Sequence, residues 1–223
     1  KTWLVQLHSA TPSIQALTRN IDRLITTTIR HTLYDMNIDE ELAHHTPTRE
    51  SFLTIGVFDG AHLGHRHLIT YLKTEASRTG RLAGVVTFRN HPESVLSPEF
   101  DPRFLSTINE RIDLIKSMGA DFIVPITFDL ELSELSPTQF TALLQKCLLM
   151  KGLIVGPDFA MGHRREGDLG TLTAIGQDTG FVVRVAEPFL DDNGQMIRST
   201  MIRKSLARGD VEQILEQTGR NFV

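Results

Sequence analysis

From Phe52 onward, short apolar runs alternate with stretches in which apolar residues recur every three or four positions. The runs are FLTIG (52–56), LAGVVTF (82–88), DFIVPI (121–126), GLIVG (152–156) and FVVRVAE (181–187). Each is short, rich in β-branched residues and bounded by Gly or Pro, which predicts strands buried on both faces. Between them, Ile108, Ile112 and Ile115 share one helical stripe; Phe140, Leu143, Leu144, Cys147 and Leu148 share another. This β-α alternation predicts an α/β fold, a parallel sheet with helices on both faces. DDNG (191–194) is a turn signal, and helices are expected over 199–206 and from Val211. Ahead of the alternation, Ile14, Leu17, Ile21, Leu24, Ile25 and Ile29 predict an amphipathic helix over 13–34, with Pro12 at its entrance. NIDEELAHHTPTRES (37–51) reads as a polar connection. The expected organisation is a helical extension and linker, 1–50, followed by one domain, 51–223.

Composition narrows the function classes. The 223 residues suit one full-sized domain with a small appendage. A net charge of -4 argues against a dedicated nucleic-acid binder. No apolar run is long enough to span a membrane, and the start lacks the apolar core of a signal peptide. Cys147 is the single cysteine, so disulfide frameworks and cysteine-based zinc sites are excluded, and a reducing, cytoplasmic setting is expected. The expected partners are small molecules, with neither nucleic acid nor membrane among them.

GVFDGAHLGHRH (56–67) departs from ordinary helix chemistry. Glycine and histidine are poor residues for a first helical turn, and a local cost of this kind marks a functional site. The segment reads as strand, turn and helix N-terminus, where free N–H groups and the helix dipole favour an anion. Gly60 and Gly64 let backbone approach a ligand. His62 and His65, at i and i+3, share a side and can donate to phosphate oxygens. His67 lies off that side and reads as structural. A second segment, IRSTMIRKSLARGD (197–210), offers Ser199 as a helix cap, with Thr200 and Arg203 close behind; arginine suits phosphate as a bidentate donor.

The H-x-G-H spacing is that of nucleotidylyltransferases and class I aminoacyl-tRNA synthetases. With further segments in order, the chain resembles one family closely: the FMN adenylyltransferase module of bifunctional riboflavin kinase/FAD synthetases. The matching segments are LTIGVFDGAHLGH (53–65), VVTFRNHP (85–92), LSPTQF (135–140), VGPDFAMG (155–162), REGD (165–168), RSTMIR (198–203) and GDVEQILEQTGRNF (209–222). The resemblance implies a Rossmann-like nucleotidylyltransferase fold. It implies transfer of an adenylyl group from ATP to FMN, giving FAD and pyrophosphate, with Mg2+ on the ATP phosphates.

By the same resemblance, His62, His65, Ser199, Thr200 and Arg203 contact the phosphates. Gly56, Phe58, Asp59, Gly60 and Gly64 belong to the nucleotide-binding turn. Asp158 and Phe159 are expected near the flavin, with His91 and Pro92 on another loop of the site. The FMN phosphate, largely dianionic because its second pKa is about 6, would attack without a protein base. Alignment and charge stabilisation are then the protein's tasks. Arg198, Val57, Met161 and Asn221 stand where the family usually carries Ser, Asn, Phe and Pro. The riboflavin kinase module, which would follow, has no counterpart in this chain. The competing expectations are a nucleotidylyltransferase for another phosphorylated acceptor, and an impaired flavin- or nucleotide-binding relative.

Overall fold

The computed structural model describes residues 37–97, 99 and 103–221. The helix expected over 13–34 lies outside the described residues. The compact unit begins at Ile38. Its first element is α1 (Ile38–Ala43), inside the stretch that reads as a polar connection. Leu42 is fully buried there, and the Glu41 carboxylate accepts the Thr127 N–H at 2.6 Å and the Thr127 hydroxyl at 2.8 Å. Charged and histidine neighbours hide two apolar anchors, Leu42 and the partly buried Ile38, so polarity alone misreads this segment.

The sheet has five strands: β1 (Ser51–Gly56), β2 (Leu82–Phe88), β3 (Phe122–Ile126), β4 (Met150–Val155) and β5 (Val182–Val185). All pair in parallel, in the spatial order β3-β2-β1-β4-β5. The five apolar runs therefore became strands, within one or two residues at each end. Pro125 would break a central ladder; β3 is an edge strand, where a missing N–H is tolerated.

Alternation along each strand sends side chains to two cores. Leu53, Val86, Val124 and Leu153 face one side, with Leu42 of α1. Phe140 and Leu144 of α6 (Pro137–Leu148) and Leu172 of α7 (Leu169–Thr179) complete that layer. Phe52, Val85 and Ile154 face the other, against Ile69 and Leu72 of α2 (Leu63–Arg78) and Ile115 of α4 (Ile108–Ser117). Short helices α3 (Pro92–Leu96) and α5 (Leu130–Glu134) follow β2 and β3. Helix α7 carries Gly and Thr in its interior and gives a weak periodic signal; Asp168 caps it by accepting the Thr171 N–H at 2.8 Å. The chain ends its described part with α8 (Ser199–Arg208) and α9 (Val211–Thr218).

This is a doubly wound sheet with helices on both faces. Connections run one way from β1 through β3 and the other way from β4 to β5. The reversal falls between β1 and β4, and such a switch point opens a crevice at the carboxyl ends of the strands.

Candidate functional site at the carboxyl edge of the sheet

The crevice is filled from the β1 side by a tight turn. Phe58, Gly60 and Ala61 all have positive φ, at 54°, 74° and 42°. Two non-glycine residues in that region cost energy, and such strain persists where surroundings fix it. Phe58 is anchored by burial in the core below α2. Gly60 has no room for a side chain, because a Cβ would meet Leu105 Cδ1 at 2.7 Å.

The turn delivers two imidazoles to the start of α2. His62 occupies the N-cap position without a side-chain capping bond. The rings of His62 and His65 are stacked, centroids 3.6 Å apart and planes 20° from parallel. The Phe58 ring meets His65 edge-on at 5.1 Å. Gly64 makes the stack fit: a Cβ there would lie 3.1 Å from the His62 ring. Neither Nδ1 atom has a hydrogen-bond partner among the described residues. Burial lowers the His62 pKa to about 4. His65 falls well below its ordinary value through burial, then through the nearby His62 and Arg111 charges. Both are therefore neutral donor-acceptors near pH 7.

The opposite wall comes from α8. Ser199 and Thr200 open the helix and face the same cleft as the histidines. The N-cap is Arg198, not Ser199. The Ser199 hydroxyl instead donates to the Asp59 carbonyl at 2.9 Å, which corrects the capping role expected from sequence. Arg203 donates from Nη2 to the Asp59 carboxylate at 2.5 Å and from Nε to the Arg103 carbonyl at 2.9 Å. Asp59 is 2% exposed, and its carboxylate also accepts the Leu105 and Ser106 N–H groups at 2.9 and 3.2 Å. Arg220, beyond α9, donates to the Gly60 carbonyl at 3.2 Å. Three side chains of the C-terminal segment thus hold the histidine-bearing turn.

Between these walls lies an open cleft of about 410 Å3. His62, His65, Ser199, Thr200 and Arg203 all line it, as do Phe58, Asp59, Gly64 and His91. Gly56 ends β1, and Gly60 sits behind the turn; neither borders the cleft. Pro92 begins α3 beside His91, whose Nδ1 accepts the Glu93 N–H at 3.2 Å. Asp158, on the loop after β4, pairs with Arg198 at 2.5 Å at the edge of the site. Phe159 packs against the α6–α7 side core rather than along the cleft.

Several cleft residues are not apparent from the motifs. His67 reads as structural in sequence, yet it lines the cleft, its ring 5.8 Å from that of Phe189. Gly156 and Pro157 after β4, and residues 186–189 after β5, form the far side. Gly156 and Pro157 stand within the matching segment VGPDFAMG; the signal of residues 186–189 was positional, since they follow a predicted strand, where a parallel sheet puts its ligands. Arg111 carried no signal, because it acts on backbone carbonyls distant in sequence; Arg220 stands in the matching segment GDVEQILEQTGRNF, but its bond to the Gly60 carbonyl could not be read there.

A strained turn, a helix N-terminus and facing arginine and hydroxyl groups define an α/β protein with a site suited to phosphate-bearing ligands. The chain belongs to the FAD synthetase family, which matches residues 44–201. It is 34% identical over 77% of its length to the bifunctional riboflavin kinase/FMN adenylyltransferase of Buchnera aphidicola, covering 55% of that protein. The Escherichia coli K12 protein of the same description is 33% identical over 72% of this chain and 51% of its own. The chain thus spans about half the length of these curated relatives. A solved structure described as a macrolide-efflux protein from Streptococcus pneumoniae shares the fold. Its TM-score is 0.73 at 23% identity, over 81% of this chain and 59% of that one. Among the described residues no helix is long and apolar enough to cross a membrane.

Proposed function

We propose that this chain transfers the adenylyl group of ATP to FMN, releasing pyrophosphate and forming FAD. Membership of the FAD synthetase family and the printed activities of its relatives support the reading. The observation that carries it is the shared cleft: the His62–His65 stack and the Ser199–Arg203 segment face each other across one opening.

In this reading the nucleotide triphosphate lies over the start of α2, with Mg2+ entering as part of the substrate complex. His62 and His65 donate hydrogen bonds as neutral imidazoles. Thr200 and Arg203 meet the phosphates from the α8 side, and Arg203 adds positive charge where the departing pyrophosphate develops negative charge. Asp59 positions Arg203 and the turn; its carboxylate is already engaged by Arg203 and two backbone N–H groups. The FMN phosphate, dianionic above a second pKa of about 6, attacks the α-phosphorus; the bond to the β,γ-pyrophosphate breaks. No protein base is required, so alignment dominates. In this reading Asp158, paired with the cleft residue Arg198, and His91, which lines the cleft, are the groups assigned to the acceptor. The single buried thiol, Cys147, supports a cytoplasmic setting.

The test is direct. Protein, Mg2+, ATP and FMN are combined, and FAD and pyrophosphate are followed together. Equal amounts of the two products are expected. Turnover only with a different phosphorylated acceptor, or binding of both substrates without turnover, would overturn the assignment.

A further inference from the structure

Arg111 is the largest fully buried side chain of the described residues, 1% exposed, on the face of α4 that meets the sheet. Burying a guanidinium is costly unless it is paired. Yet among the described residues it forms no ion pair, and its Nε has no hydrogen-bond partner. What it does have is two carbonyls. Nη1 donates to Val57 at 3.0 Å and to Phe88 at 2.8 Å. Val57 opens the histidine-bearing turn, and Phe88 ends β2. The Phe104 ring lies below the guanidinium, 4.9 Å from its carbon. Its charge lowers the pKa of His65 of α2 and of His91 on the next loop, while burial lowers its own and the Asp59 charge opposes that only in part.

Two carbonyl contacts would be met as well by a neutral donor, without the cost of a buried cation. The surplus charge sits at the carboxyl edge of the sheet, behind the wall that carries both imidazoles. A polyanion in the cleft is the group that offsets such a cost, since Coulomb attraction weakens little through a low-dielectric wall. We infer that Arg111 is a positioning residue of the phosphate site: it ties the histidine-bearing turn to the end of β2 and fixes a positive charge behind His65. The inference rests on the function proposed above and adds to it a charge that never touches the substrate.

Two substitutions separate charge from shape. Arg111→Lys keeps the charge and donors. Arg111→Gln keeps donors for the carbonyls and removes the charge. Binding of α,β-methylene-ATP is measured by calorimetry, the His65 imidazole is titrated by NMR, and thermal unfolding is recorded for each. The Gln variant is expected to lose about tenfold in affinity and to show an upward shift of the His65 titration. The Lys variant keeps the charge but not the planar fork over Phe104, so it is expected to lose clearly less than the Gln variant, about threefold, with His65 unshifted. Wild-type affinity and an unshifted His65 in a folded Gln variant overturn the inference. Should the Gln variant not fold, the Lys variant decides. Retained binding with His65 unshifted upholds the inference, and about tenfold loss at an unchanged melting temperature overturns it. Parent protein that binds the analogue but forms no FAD overturns the proposed reaction alone.

Discussion

Arg203 and Asp59, 144 residues apart in the chain, are joined at 2.5 Å, and Asp59 is the more deeply buried partner. The carboxylate belongs to the histidine-bearing turn, which the resemblance reads as the nucleotide-binding turn. It aligns a cation of the opposite wall and pins the loop that precedes α4.

Asp59→Asn preserves an acceptor for Leu105 and Ser106 but removes the charge facing Arg203. The variant should fold with a loss of about 1–3 kcal/mol in urea unfolding. FAD formation should fall about a hundredfold, because Arg203 loses its fixed position. Arg203→Ala should produce a similar loss, and the double variant should be little worse than either single one. Additive losses would show that the two residues act separately.

Gly64→Ala sets stability against activity. Alanine favours a helix over glycine by about 1 kcal/mol. Its Cβ, however, would stand 3.1 Å from the His62 ring and push it from the stack. We expect a melting temperature equal to or above the parent's and FAD formation reduced about tenfold or more. A parallel fall in both would mean that Gly64 serves the backbone instead.

The buried histidines set an acid limit. His62 is lowered from 6.5 to about 4 by burial, so the unfolded chain takes up a proton that the folded one refuses. Stability from this group is complete above the unfolded pKa of 6.5 and is lost progressively as pH falls toward 4. Between about pH 7 and 5 the loss is about 2 kcal/mol from His62, and His65 adds in the same direction. His62→Gln should flatten this limb in urea titrations at the two pH values. NMR of the free protein should find neither imidazole titrating near pH 7.

Arg198 and Asp158 form an exposed pair, with side chains 55% and 62% accessible. Such a pair contributes little to stability, within about 1 kcal/mol. Asp158→Ala should therefore leave unfolding unchanged. If the flavin lies beside it, the KM for FMN should rise several-fold while that for ATP stays constant. An equal rise in both would place Asp158 with the nucleotide.

The five strands were legible because a sheet covered on both faces demands continuous apolar, β-branched runs, and LAGVVTF and FLTIG satisfy that demand. The two walls of the site were legible because their chemistry is local: two histidines at i and i+3, and Ser, Thr and Arg within five residues. Contacts made through the fold were not legible. Ser199 could bond forward to its own helix or across to Asp59, and only the docking of α8 on the turn decides for the latter. Arg111 looks like one more polar position on α4 until the carbonyls of Val57 and Phe88 are brought to it. Helix α1 shows the converse, where Leu42 and Ile38 outweigh their charged neighbours once α6 lies alongside.

Helices α8 and α9 grip the turn through Ser199, Arg203 and Arg220. In the proposed reaction the Arg203 guanidinium would serve both as a latch for the tail of the chain and as a recruit for an incoming anion. Occupancy and tail docking become linked equilibria, so a bound nucleotide should slow amide exchange in those helices while the central strands exchange as before.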